Sequence, residues 1–142
     1  MNPFTNKEYS DKYFELQEKI LETSPAANPD VLKKFDKIYK ENDVIVVKAA
    51  TGAGKGVVIA PHVMMLENIC AGKFCGPNKI VVSEPRTVNT LVATYVGEVI
   101  DTPSVVNYGY KFNNKLTDAT LLAFVTDGFI LNFFSVKRDS SV

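Results

Sequence analysis

Apolar side chains recur at helical spacing over residues 9–23, where Tyr13, Leu16, Ile20 and Leu21 share one side and Glu and Lys fill the other. That period predicts an amphipathic helix. Ser10 stands where an N-cap is needed, since its hydroxyl can accept a free first-turn N–H. Ser24, Pro25, Ala26, Ala27, Asn28 and Pro29 break the pattern, and Asp30 opens a second amphipathic helix with Val31, Leu32, Phe35, Ile38 and Tyr39 on one face. Asn42 and Asp43 turn the chain out. The period then changes. Residues 44–47 are continuously β-branched, as suits a strand buried on both faces in a parallel sheet. After a glycine-rich stretch, an apolar helix is predicted at about 57–71 and a turn over 72–78. A second buried strand follows at 80–82 and a helix at 87–100. Extended chain is predicted over 105–110, a strand over 121–125 and a helix over 128–134. Strands alternating with helices predict an α/β domain with a mostly parallel sheet.

Composition changes this picture little. The 142 residues suit one domain, and 46% hydrophobic residues are enough for a packed core. Sixteen basic residues balance sixteen acidic ones, so there is no global attraction to nucleic acid and any such binding must rest on local contacts. Cys70 and Cys75 cannot by themselves make a four-ligand zinc site, and His62 falls on the other side of the predicted helix. The pair is read as reduced thiols near a helix end. The start of the chain has no basic-then-apolar run, and no apolar stretch approaches the roughly 18 to 20 residues that span a bilayer. An intracellular, cytoplasmic protein is expected.

The candidate chemistry lies between the first strand and the helix after it. There Thr51, Gly52, Ala53, Gly54, Lys55 and Gly56 make a glycine-rich turn with a lysine. Glycines let the backbone curl so that several N–H groups point at phosphate oxygens, and the following helix adds its partial positive charge. Lys55 supplies a full charge to the outer phosphates. Strand, loop and helix in that order make this a phosphate-binding loop for a nucleoside triphosphate. Against the pattern G-x-x-x-x-G-K-[ST], Ala49 replaces the first glycine and Gly56 replaces the residue whose hydroxyl binds Mg²⁺. Binding without competent hydrolysis is therefore one reading of the loop.

Three later segments follow. Val82, Ser83, Glu84, Pro85, Arg86 and Thr87 resemble motif Ia of superfamily-two helicases. Asn107, Tyr108, Gly109, Tyr110, Lys111 and Phe112 are similar to the Val-Gly-Tyr-x-x-Arg-Phe segment of the DEAH type, with Lys111 in place of arginine. Residues 124–131, which include Thr126, Asp127 and Gly128, resemble motif Ib, and Ile59, Ala60 and Pro61 fit the end of motif I. Over about residues 30–136 the chain thus resembles the first RecA-like domain of DExH/DEAH-type helicases. The resemblance implies a P-loop NTPase, three-layer fold at 30–142, incomplete and preceded by an N-terminal helical extension at 1–29. It implies ATP or another NTP with Mg²⁺ as cofactor, and single-stranded RNA or DNA as partner. Pro85, Arg86, Thr87, Lys111, Thr126, Asp127 and Gly128 would grip the nucleic-acid backbone, with little sequence specificity. Each has a plainer reading: a surface salt bridge for Arg86, a solvated cation for Lys111, a helix cap for Thr126 and Asp127.

The resemblance also implies what should follow. The family's next strand ends in Asp-Glu-x-His or Asp-Glu-x-Asp, whose carboxylates hold Mg²⁺, and two strands still to come lie between the P-loop strand and the motif Ia strand. No such acidic motif is present, and unwinding and efficient hydrolysis are not expected of this chain. The expectation is a piece of a longer helicase that lacks its C-terminal half. A non-catalytic nucleotide or nucleic-acid binding module is the second reading. A small P-loop kinase is the third, and having only two arginines, Arg86 and Arg138, counts against it.

Overall fold

The computed structural model describes residues 1–48, 55–84, 89–110 and 113–129. The first helix, α1 (Asp11–Thr23), begins where the sequence predicts, with the Ser10 hydroxyl accepting from the Tyr13 N–H at 3.2 Å. The second, α2 (Pro29–Glu41), has proline in its first turn and Asn28 as cap, its side chain accepting from the Asp30 N–H at 2.9 Å. Helix α3 (Ala60–Asn68) is shorter than predicted at both ends, because Lys55–Ile59 is wound as a π-helical stretch and the chain passes into a strand after Asn68. Such stretches are rare and concentrate at functional sites.

Two small strands, β1 (Ile69–Cys70) and β2 (Lys73–Phe74), form a hairpin beyond α3. Its two central residues, Ala71 (φ 50°) and Gly72 (φ 78°), both lie in the left-handed region that tight hairpins require. This corrects the expectation of free thiols. The hairpin folds Cys75 back beside Cys70, with Cα atoms 5.8 Å apart, and a disulfide joins them. Their spacing in sequence carries no sign of that turn. The buried Asn68 side chain then bonds Asn78 twice, to its carbonyl and from its N–H, and so fixes where the next strand starts.

The main sheet contains β3 (Ile80–Glu84), β4 (Val106–Tyr110), β5 (Asn113–Asn114) and β6 (Leu122–Thr126), in the order β3-β6-β4-β5. β3, β6 and β4 are parallel, and only β5 runs antiparallel. Helix α4 (Asn89–Val99) joins β3 to the region of β4. Alternate residues of a strand face opposite ways. Leu122 and Phe124, fully buried, meet Ala60 and Met64 of α3 and Ala93 and Val96 of α4 in one core. A second cluster, Ile20 with Ala27 and Val99, docks α1 on α4, where Gln17 also donates to the Val99 carbonyl at 2.9 Å. The result is a mixed α/β fold with a three-stranded parallel sheet and helices preceding it, consistent with part of a RecA-like domain.

One predicted strand does not form. Residues 44–47 have no strand partner among the described residues, and Val44 and Val46 are 83% and 79% exposed. Their β-branched side chains favour extended chain, but a strand needs a neighbour to bond its N–H and C=O groups. β3 pairs only with β6 among the described residues, and nothing pairs with its other edge there.

Candidate nucleotide and nucleic-acid site

Of the predicted phosphate loop, Thr51, Gly52, Ala53 and Gly54 lie outside the described residues. Lys55 and Gly56 open the π-helical stretch that runs into α3. A Cβ built on Gly56 would meet nothing within 4 Å, so the position that lacks the Mg²⁺-binding hydroxyl has open space around it. Gly56 lines a cleft of about 360 Å³ with Ile59, Ala60 and Val63 on one wall and Ile80, Val82 and Ser83 of β3 on the other. The start of the phosphate-loop helix and the carboxyl end of β3 thus border the same space.

Pro85, Arg86, Thr87 and Lys111 also fall outside the described residues. The parallel register pairs Glu84 with Thr126, so the backbones of β3 and β6 end level with each other. In open α/β sheets ligands bind beyond such carboxyl ends. Thr126 closes β6 and Asp127 and Gly128 begin a helical turn. The Thr126 hydroxyl accepts from the Phe129 N–H at 3.3 Å, the capping role that threonine suits. Nothing lies within 4 Å of a Cβ built on Gly128.

Two features here were not singled out from sequence. The Ser83 hydroxyl donates to the Asp127 carboxylate, tying the end of β3 to the residue after β6. The Phe129 ring lies over Gly109 of β4, where a Cβ would come within 3.1 Å of a ring carbon. A side chain at 109 would push that ring away, which accounts for glycine there. The only sequence signal for Ser83 was its place inside the segment resembling motif Ia; its partner is 44 residues away and shows only in the fold.

A separate seam joins α2 to α3. His62 Nε2 lies 2.5 Å from Asp36 Oδ1, the His62 ring meets Phe35 edge-on, and the Tyr39 hydroxyl donates to Glu67. That bond, then burial, then the charge of Glu67 push the Tyr39 hydroxyl up to about 12. Tyr9 is pushed up to about 12 as well, by burial first and by its stacked neighbour Tyr13 second. Among the described residues no group of three or more His, Cys, Asp or Glu is placed to hold a metal ion, and no helix is long and apolar enough to cross a membrane.

A parallel sheet whose strands β3 and β6 end level, beside a helix that follows a glycine-rich sequence, is consistent with part of a RecA-like domain. No family model matches the sequence. The chain is 29% identical over 96 residues to a Schizosaccharomyces pombe protein named as an ATP-dependent RNA helicase, a match taking in 66% of this chain and 8% of that one. It is 31% identical over 107 residues to the chloroplastic DExH-box ATP-dependent RNA helicase DExH4 of Arabidopsis thaliana, covering 72% of this chain and 7% of the relative. The similarity supports a distant relation to the helicase superfamily through a helicase-related ATP-binding region. The chain spans less than a tenth of either relative's length.

Proposed function

We propose that this chain is the N-terminal ATP-binding part of an NTP-dependent RNA or DNA helicase. It holds NTP phosphates with residues 51–56 and the nucleic-acid backbone with residues 85–87, Lys111 and residues 126–128. ATP with Mg²⁺ is the cofactor, single-stranded RNA or DNA the track, and a C-terminal helicase half the missing partner. The observation that carries this reading is the parallel register of β3 with β6. Both segments that resemble nucleic-acid-gripping motifs leave the same end of the sheet, and Gly56 shares a cleft with Ser83 of β3. Lys55 contributes charge to the outer phosphates, and backbone N–H groups of the loop complete the cradle.

Gly56 favours a second reading, a module that binds nucleotide or nucleic acid without turnover. When bound, Mg²⁺ neutralises phosphate charge; this chain offers it no hydroxyl at 56 and no Asp-Glu motif. Calorimetry of MgATP against the wild type and Lys55→Ala tests the first reading. Binding by the wild type that falls at least about ten-fold in Lys55→Ala, a loss of roughly 1.4 kcal/mol, supports it. A folded, monomeric chain that binds no MgATP refutes the ATP site. Salt-sensitive binding of single-stranded RNA by that same chain then moves the second reading to first place.

A further inference from the structure

We infer that Ser83 and Asp127 form a strap that sets the spacing of the two nucleic-acid loops, with Asp127 a positioning residue and not a phosphate contact. The inference rests on the nucleic-acid reading of residues 85–87 and 126–128.

An ionised carboxylate has no proton to donate, so it cannot hydrogen-bond a phosphodiester oxygen, and its charge repels the backbone. The Asp127 side chain therefore has no bond to offer a phosphate, and only its backbone N–H could donate one. What Asp127 does have is a partner. Its Oδ1 accepts from the Ser83 hydroxyl, a charge-assisted bond between the carboxyl ends of two adjacent parallel strands. Ser83 is the second-last residue of β3, three positions before Arg86 in sequence. Asp127 is the first residue after β6, in the loop that carries Thr126 and Gly128. The bond thus joins the two loops at their roots.

The neighbouring contacts fix the Asp127 side of the strap. The Thr126 hydroxyl caps the Phe129 N–H, and the Phe129 ring rests on Gly109 of β4. Gly109 pairs with Val125 in the register of β4 and β6. Registered residues of parallel strands face the same way, so Phe129 covers the Gly109 and Val125 face, opposite Leu122 and Phe124. The turn bearing Asp127 is seated on β4 through Phe129 and tied to β3 through Ser83. Two segments that contact one nucleic-acid backbone need their starting points at a fixed separation, and the Ser83–Asp127 bond supplies it before nucleic acid arrives.

The test uses the full chain, a fluorescein-labelled single-stranded oligouridylate read by anisotropy over a range of salt, and hydrogen exchange of peptides covering the two loops. Ser83→Ala and Asp127→Ala are each expected to weaken binding roughly three- to ten-fold, the worth of one such bond. The double variant should be no weaker than the worse single one. The salt dependence should stay unchanged, because no phosphate contact is removed. Asp127→Asn keeps an acceptor oxygen for Ser83 and should bind at least as well as the wild type. Additive losses, or tighter binding by Asp127→Ala with Ser83→Ala neutral, would overturn the strap. If the wild type binds no oligouridylate, the nucleic-acid reading fails, and exchange still decides the strap by itself. Faster exchange at both loops in Ser83→Ala and Asp127→Ala, but not in Asp127→Asn, supports it, and unchanged exchange refutes it.

Discussion

Residues 44–47 and the strand β6 are both apolar runs rich in branched side chains, yet they end in opposite states. In β6, Leu122, Phe124 and Val125 are buried, flanked by β3 on one side and β4 on the other. In the earlier run, Val44 and Val46 face solvent, while Ile45 and Val47 line a cleft with Phe35 and Tyr39 of α2 and Ile59. Side chains alternate along the run as in a strand. Its second face is only partly covered, Val47 being 41% exposed, and it has no strand partner among the described residues. The difference teaches that burial and pairing, more than local propensity, make a strand. β3 makes the same point within one element, because Val81, on a strand with one neighbour, is 54% exposed.

The largest effect should separate those regions. Phe124→Ala removes a ring from the fully buried centre of the sheet and should cost about 3–5 kcal/mol. That is a large share of the roughly 5–15 kcal/mol that holds a domain folded. Val46→Asp, at an exposed position, should change stability by no more than about 0.5 kcal/mol. Urea unfolding followed by circular dichroism compares them. A cost for Val46→Asp that approaches the Phe124 value would mean that the run is covered in solution.

The elements with a strong period were legible. Helix α1 has its predicted cap at Ser10 and α2 begins beside the predicted Asp30, β3 and β6 lie where apolar runs predict them, and β4 falls in the predicted extended segment. The failures have two causes, a missing distant partner in one case and an unforeseen local turn in the other. Residues 44–47 read as a strand because sequence shows propensity and not partners. Cys70 and Cys75 read as free thiols because the turn at Ala71 and Gly72 is set by φ angles that alanine seldom adopts. At the candidate site, Thr126 and Gly128 were singled out through their segment. Ser83 was not, because its meaning lies in a bond to Asp127, just beyond another strand.

A smaller effect probes the phosphate-loop side of the comparison. Gly56 sits in helical chain, where glycine costs roughly 0.5–1 kcal/mol relative to alanine, and a Cβ there meets nothing. Gly56→Ser should therefore raise stability by about 0.5 kcal/mol. It also restores the hydroxyl that the motif I pattern places on Mg²⁺. ATP binding should become tighter in Mg²⁺ and stay unchanged in EDTA. Equal gains in both conditions would show that the hydroxyl acts by stabilising the helix and not through the metal.

The smallest effect concerns what covers the inner face of residues 44–47. Helix α2 has no buried residue, and its seam with α3 includes the Asp36–His62 and Tyr39–Glu67 pairs. The Tyr39 hydroxyl keeps its proton to about 12 in the fold, against an ordinary 10.0, because it donates to Glu67. The folded state therefore binds this proton more tightly than the unfolded chain does. The bond contributes fully below about pH 10 and is lost as pH rises towards about 12. The pair is only part-buried, so solvent screening should hold its contribution to about 1 kcal/mol. Urea unfolding at pH 9 and at pH 11.5 should show a steeper loss for the wild type than for Tyr39→Phe, which has no proton to lose. Tyr9 titrates in the same window but is present in both proteins, so it cancels in the difference. Parallel losses would mean that the Tyr39–Glu67 bond does not hold α2, leaving Asp36 and His62, with the Phe35 ring contact, to keep that helix over Ile45 and Val47.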